Sequence, residues 1–370
     1  MTQKHLLSIV AGARPNFMKI APIVRALQRY PATFDWRLVH TGQHYDRDMS
    51  DVFFEELEIP KPHYHLEAGG GSHAEQTAKI MVRYEEVCMR ERPTLVMVVG
   101  DVNSTLACSI VAKKLNIPVA HVEAGLRSGD MSMPEEINRI VTDAISDHFF
   151  VTEKAGIENL RREGKPESSI HFVGHVMIDN LFHQVKKLEE MDASAFPSYG
   201  LKQSLGAYGV VTLHRPATVD SKEQLTRVMG ALREISHRLP LVFPVHPRTR
   251  GNLEKFDVPV GDDIHLMQPL PYMEFLNLWK DARLVLTDSG GLQEETTALG
   301  VPCLTLRENT ERPITMEEGS NVLVGTDPGR ILDAANAALA SAMPTSGRRP
   351  SLWDGAAAER IVDILRRHAA

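Results

Sequence analysis

A chain of 370 residues, 43% hydrophobic and 24% charged, has the composition of an ordinary globular protein and the length of two domains. Its formal net charge of -7 argues against the basic face of a nucleic-acid binder, while arginines focused in a cleft would still suit an anionic small molecule. The cysteines Cys88, Cys108 and Cys303 lack metal or redox spacing and read as buried free thiols, and neither an HExxH nor a GxGxxG motif occurs, so neither a metal nor a cofactor is expected.

Along the chain, short apolar runs alternate with longer amphipathic stretches, the pattern of parallel sheets flanked by helices. The first half offers strands at 6–12, 36–42, 94–100, 118–125, 148–152 and 170–174, with helices at 15–29, 104–115 and 135–146. The opening strand is too short for a signal peptide or a membrane span, so a cytoplasmic protein away from membranes is expected. A polar stretch, 192–206, precedes a second series of strands at 208–214, 239–246, 264–269, 282–290, 302–306 and 321–325. The fold is therefore read as α/β, with two Rossmann-like, doubly wound domains at 1–174 and 175–353. Helix 176–190 bridges them, and 354–370 forms a last amphipathic helix.

Ligands of such folds sit beyond the carboxyl ends of the strands. That rule puts Gly12 to Arg14, Gly42 to His44, Asp101, Glu123, His214, His246 and Ser289 on ligand-facing edges, with a cleft between domains as the expected site. Each motif also has a plainer reading. "GARPNFMKIAPI" is a βα turn whose helix-start amides, with Arg14 and Lys19, suit an anion, or a turn carrying two solvated cations. Asp101 in "GDVNST" is either a helix N-cap or a group facing substrate. In "HVEAGLRSGDMSMPEEINR", Ser132 and Glu135 fit a capping box, and Glu135 and Arg139 fit an ordinary helix pair. Asp101, Glu123 and Glu135 together nevertheless form a carboxylate cluster suited to acid–base work.

The second series carries "DSGGLQEETTALGVP". Ser289 reads as an N-cap, Gly290 and Gly291 let a ligand approach the backbone, and Glu294 and Glu295 stand one turn in. Together they fit a pyrophosphate and a ribose, or a tight turn with acids in the first helical turn. His214 and Arg215, His246 and Arg248, and Arg307 and Arg312 add groups that a nucleoside diphosphate would use.

These motifs, with "TGQHYDRDMS", "LHRPATVD" and "VHPR", run in order from residue 8 to about 325 and resemble the non-hydrolysing UDP-N-acetylglucosamine 2-epimerases. The resemblance implies a glycosyltransferase-B-like fold, with the C-terminal helix returning to the first domain, and a homodimer. It implies a UDP-activated 2-acetamido sugar as substrate, with UDP eliminated to leave 2-acetamidoglucal and then added back. It implies Asp101, Glu123 and Glu135 as catalytic carboxylates, with His214 near the departing diphosphate. Arg14, Lys19, Phe275, Ser289, Gly290, Gly291, Glu295 and Arg312 match nucleotide-binding positions. Gln43, Arg215 and His246 match positions that bind a second substrate molecule in allosteric members, and His44 adjoins Gln43. The stretch 67–79 has no arginine, and Asp46 replaces a glutamine, so substrate activation is not expected. "GSHAEQT" and "MSMPEEINR" also resemble relatives acting on UDP-2,3-diacetamido-glucuronic acid.

Overall fold

The computed structural model describes residues 4–43, 54–55, 57–341 and 349–369. Two compact units emerge, one of Met1–Asn180 with Ser351–Ala370 and one of Leu181–Pro350. The division falls inside the continuous helix Val176–Glu189, six residues beyond the Gly174 boundary read from sequence. No break in the helical pattern marks this point.

The first unit holds a seven-stranded parallel sheet: β1 (His5–Ala11), β2 (Phe34–His40), β3 (Tyr64–His65), β4 (Leu95–Val99), β5 (Val119–Val122), β6 (His148–Val151) and β7 (Ile170–Phe172). Its order is β3-β2-β1-β4-β5-β6-β7. Side chains alternate along each strand, so Leu7, Ile9, Ala11, Leu95, Met97 and Val99 enter one core while Val10, Val96 and Val98 enter the other. Helices Arg14–Gln28 and Ala357–Ala369 pack together over the first face, and His73–Glu91 and Asn103–Lys114 over the second. With both faces covered, the strands read as continuous apolar runs, and each fully buried Leu, Ile or Val contributes roughly 1.5–3 kcal/mol. β3, a two-residue edge strand, is absent from the sequence reading because it has no apolar run to reveal it.

The second unit holds a six-stranded parallel sheet: β8 (Gly209–Thr212), β9 (Leu241–Pro244), β10 (Ile264–Met267), β11 (Leu284–Thr287), β12 (Cys303–Thr305) and β13 (Asn321–Leu323). Its order is β10-β9-β8-β11-β12-β13, with Val211, Leu241, Phe243, Leu284 and Leu286 in the core beneath helices Lys222–Ser236 and Pro328–Ala340. The chain therefore carries two doubly wound α/β units, as a glycosyltransferase-B-like fold requires.

Strand order also locates the sites. The chain runs outward from β1 to β3, then restarts at β4 on the other side of β1. In the second unit it restarts at β11, beside β8. At such a switch point the loops after the two central strands diverge and leave a crevice. The first crevice is flanked by the loops after β1 and β4, where Gly12 and Asp101 lie. The second is flanked by those after β8 and β11, where His214 and Ser289 lie.

Candidate active site

Asp101 is not a helix cap. The helix that follows begins at Asn103, its N-cap is Val102, and no side chain of the cap residue bonds it. Gln43 comes from the loop after β2 instead, its Oε1 accepting from the Ser104 N–H at 3.2 Å and the Ser104 hydroxyl at 2.8 Å. Asp101 is thereby left for another task. Its Oδ2 accepts from Arg139 Nη1 at 2.5 Å, and its backbone carbonyl accepts from Asn138 Nδ2 at 2.8 Å.

The capping box expected at Ser132 and Glu135 is likewise absent. Helix Pro134–Ile145 has Met133 as its N-cap, and Ser132 Oγ turns to Asp130 Oδ1. Arg139 also passes over Glu135, donating through Nε to the buried Glu136 at 2.9 Å. Glu136 in turn accepts from the Ser128 and Gly129 N–H groups and so fixes the loop before the helix. One arginine therefore joins Asp101 to this helix start, and Glu135, half-buried, has no hydrogen-bond or ion-pair partner among the described residues.

Glu123 follows β5 with φ +69°, a left-handed conformation that a residue with a Cβ adopts only under constraint. The constraint is visible: Lys19 Nζ donates to Glu123 Oε2 at 2.5 Å, with Lys19 only 7% and Glu123 3% exposed. Among the described residues, Glu123 Oε1 is buried without a hydrogen-bond partner, and His175 Nδ1 lies 4.0 Å away. Lys19, read from sequence as a cation for the nucleotide, thus has its charge met within the first unit. The turn at Gly100 (φ +69°) lies against this pair, since a Cβ there would sit 3.1 Å from Lys19 Nζ. His121, fully buried between the Gly100 carbonyl (2.9 Å) and Asp143 Oδ1 (2.6 Å), braces that turn.

Several of the amides expected to be open after β1 are already taken. Asn16 Oδ1 accepts from Ala13 N–H at 2.9 Å and Gly12 N–H at 3.3 Å, the Asn16 N–H bonds the Ala13 carbonyl, and Pro15 has no N–H to offer. Arg14 is the first residue of helix Arg14–Gln28, with its side chain outside the described atoms; His44 and Asp46 lie outside the described residues altogether.

The second unit supplies the anion cradle. Ser289 occupies the N-cap of helix Gly290–Leu299, yet its hydroxyl makes no cap bond. Among the described residues that hydroxyl and the Gly290 and Gly291 N–H groups have no partner, and they stand at the positive end of the helix. A Cβ at Gly290 would meet only Arg215 Nη2, at 3.9 Å, so space and a guanidinium lie directly in front of the turn. Asp288, fully buried, receives the His214 and Arg215 N–H groups at 2.9 and 2.8 Å and lies 2.9 Å from His214 Nδ1. Burial alone would raise the Asp288 pKa, but the His214 ring and these N–H groups hold it below the ordinary value. Asp288 carries no separate role in the sequence reading, where it falls within the strand 282–290; an acid directly before Ser-Gly-Gly was the available signal.

His214, His246 and Phe275 line a pocket of about 190 Å³ with Thr212, Leu213, Pro244, Pro269 and Leu270. Its apolar wall and two imidazoles suit a flat polar ring such as a nucleobase. Glu295 is buried, accepts from the Tyr272 hydroxyl at 2.9 Å, and has its pKa raised by burial, with help from Glu294, to about 7. The remaining cations are already matched: Arg312 to Glu294 at 2.5 Å, Arg307 to Glu311, and Arg248 to Asp220. Arg215 is the most loosely held, 3.9 Å from Glu311. The three cysteines are buried and unbridged. The chain's one His-x-His pair, His63 and His65, is structural: His63 Nδ1 accepts from Leu38 N–H at 3.0 Å and His65 packs on His40.

Comparison with known proteins agrees with this geometry. The family model described as UDP-N-acetylglucosamine 2-epimerase matches residues 25–366. A UDP-N-acetylglucosamine 2-epimerase of Methanocaldococcus jannaschii is 42% identical across 97% of this chain and 98% of its own. The chain belongs to the UDP-N-acetylglucosamine 2-epimerase family. It is accordingly an isomerase. The crystal structure of the M. jannaschii epimerase in complex with UDP-GlcNAc and UDP superposes with a TM-score of 0.84, covering 98% of this chain and 99% of that one at 42% identity. A second member of similar likeness is the UDP-2,3-diacetamido-2,3-dideoxy-D-glucuronate 2-epimerase of Pseudomonas aeruginosa, 40% identical over 97% of this chain and 99% of its own. No helix among the described residues is long and apolar enough to cross a membrane.

Proposed function

We propose that this protein interconverts UDP-N-acetylglucosamine and UDP-N-acetylmannosamine without releasing free sugar. The observation that carries the reading is the pairing of unlike sites in one chain. One unit has Asp101 beside its switch point, Glu123 held by Lys19 against the Gly100 turn, and Glu135 on the helix that Arg139 ties to Asp101; the other has a helix start without a side-chain cap, bearing a serine hydroxyl, two glycine amides and a guanidinium.

The chemistry follows from the substrate. The C2 proton of an acetamido sugar is not acidified by a carbonyl, so departure of UDP from C1 must supply the driving force. Helix-start amides, the Ser289 hydroxyl and Arg215 stabilise the charge that builds on the diphosphate as the C1–O bond breaks. His214, held on Asp288, stands beside this cradle and orients or protonates the leaving group. One carboxylate takes the C2 proton, leaving 2-acetamidoglucal and UDP. A second, protonated carboxyl returns a proton to the opposite face of C2 while UDP adds back to C1. Asp101 and Glu135 carry these two transfers. Glu123, clamped by Lys19, keeps one buried oxygen for the sugar. Phe275 stacks the uracil, Glu295 takes the ribose hydroxyls, and Arg14 and Arg312 complete the nucleotide contacts. A cytoplasmic homodimer accompanies this reading through the family resemblance.

The likeness to the P. aeruginosa relative supports a second reading in which the sugar carries a 3-acetamido group and a carboxylate at C6. One experiment tests both. Each UDP-sugar is incubated alone in heavy water and followed by NMR. The manno isomer with deuterium at C2 and no free sugar is the expected product, and the faster sugar identifies the substrate. Turnover only with an added acceptor, or accumulation of free N-acetylmannosamine, overturns the proposal.

A further inference from the structure

His148 opens β6, His171 lies in the middle of β7, and His368 stands in the last turn of the C-terminal helix. Linear spacing hides their relation, but two periods bring them together. His148 and Phe150 are two apart on one strand and share a face of the sheet, and Phe150 is in register with His171. That face is covered by Ile361 and Leu365 of the C-terminal helix, in the same core as Phe150. His368 is three residues beyond Leu365 and seven beyond Ile361, so it continues the inward stripe of the helix by one turn. The imidazole centroids lie 4.9 Å (His148–His368), 5.9 Å (His171–His368) and 6.1 Å (His148–His171) apart.

We infer that these three histidines form a metal site for a borderline divalent transition ion of the zinc class. One ligand atom from each falls within 4.8 Å of the others. Among the described residues, His148 Nδ1 and His171 Nε2 are buried without a hydrogen-bond partner, an arrangement that costs free energy unless something meets those nitrogens. Imidazole nitrogens bind such an ion through their ring lone pairs. An all-imidazole set selects the later first-row ions over magnesium or calcium. Zinc–nitrogen bonds of about 2.0–2.1 Å require the three atoms to draw closer than they stand. His368, exposed on the last helical turn, has the freedom to make that move.

The site lies at the amino end of β6, whereas Glu123 follows the carboxyl end of the adjacent β5. Its role is accordingly to fasten the C-terminal helix to the sheet, not to join the chemistry. The test uses the full chain stripped with chelator and titrated with Zn2+ by calorimetry, followed by desalting and metal analysis. One zinc retained per chain and a higher unfolding temperature are expected, with both lost in His368→Ala. His148→Asn, checked for folding by circular dichroism, is expected to lose them as well. No zinc retained by the wild type, or equal retention by His368→Ala, overturns the inference, since adventitious binding at other histidines survives that substitution.

Discussion

Arg139 Nη1 donates to Asp101 Oδ2 at 2.5 Å, tying a loop that follows the fourth strand of the first sheet to a helix 38 residues further along. Because Arg139 Nε also holds Glu136, the guanidinium fork fixes both the carboxylate and the helix bearing Glu135.

Asp101→Asn should lower turnover about 100- to 10,000-fold, the usual cost of losing a general acid or base. UDP affinity, measured by calorimetry, should stay within a few-fold, since the cradle lies in the other unit. Near-normal turnover in this variant would remove Asp101 from the chemistry.

Arg139→Lys should also reduce kcat. A point-charge ammonium cannot hold Asp101 and Glu136 in the geometry of the fork. Steady-state kinetics would show the defect in kcat more than in KM. A variant altered only in KM would mean that Arg139 contacts substrate directly.

Lys19→Met should destabilise the protein by about 3–5 kcal/mol, because it leaves the buried Glu123 without its counter-ion. Adding Glu123→Gln to it should recover much of that loss. Urea unfolding of the two single variants and the double variant measures the coupling, and strictly additive losses would refute it.

Glu295 has a folded pKa raised from 4.5 to about 7, chiefly by burial. For an acid shifted upward, the folded state holds the proton more tightly than the unfolded chain does. Stability is therefore highest below pH 4.5 as far as this group is concerned, and falls as pH rises toward 7. The total is on the order of 3 kcal/mol. Glu295→Gln should flatten that decline in urea unfolding between pH 5 and 8. Parallel pH profiles for the variant and the wild type would contradict it.

Gly12→Ala should cost about 1–3 kcal/mol by overpacking. The added Cβ would stand 2.0 Å from Ser104 Oγ and 2.7 Å from Thr41 Oγ1, displacing the serine that Gln43 holds. Thermal unfolding measures the loss, and an unchanged midpoint would show that the loop yields freely.

Alternating apolar runs and the glycines that end them were enough to place every strand except β3, and to set Asp101, Glu123, His214 and Ser289 at strand ends. Those are local properties: burial on both faces demands a continuous apolar strand, and a sharp exit demands a particular residue at the turn. Which charge answers which was decided only by the tertiary structure. Sequence spacing offered Asp101 as a cap and Arg139 as a partner for Glu135; the fold gives Arg139 to Asp101 and Glu136. Lys19 likewise looked free for a ligand, yet it meets Glu123 from 104 residues away. Such pairings depend on ångström distances set by strand order, and parallel strands adjacent in space are far apart in the chain, so no local pattern encodes them.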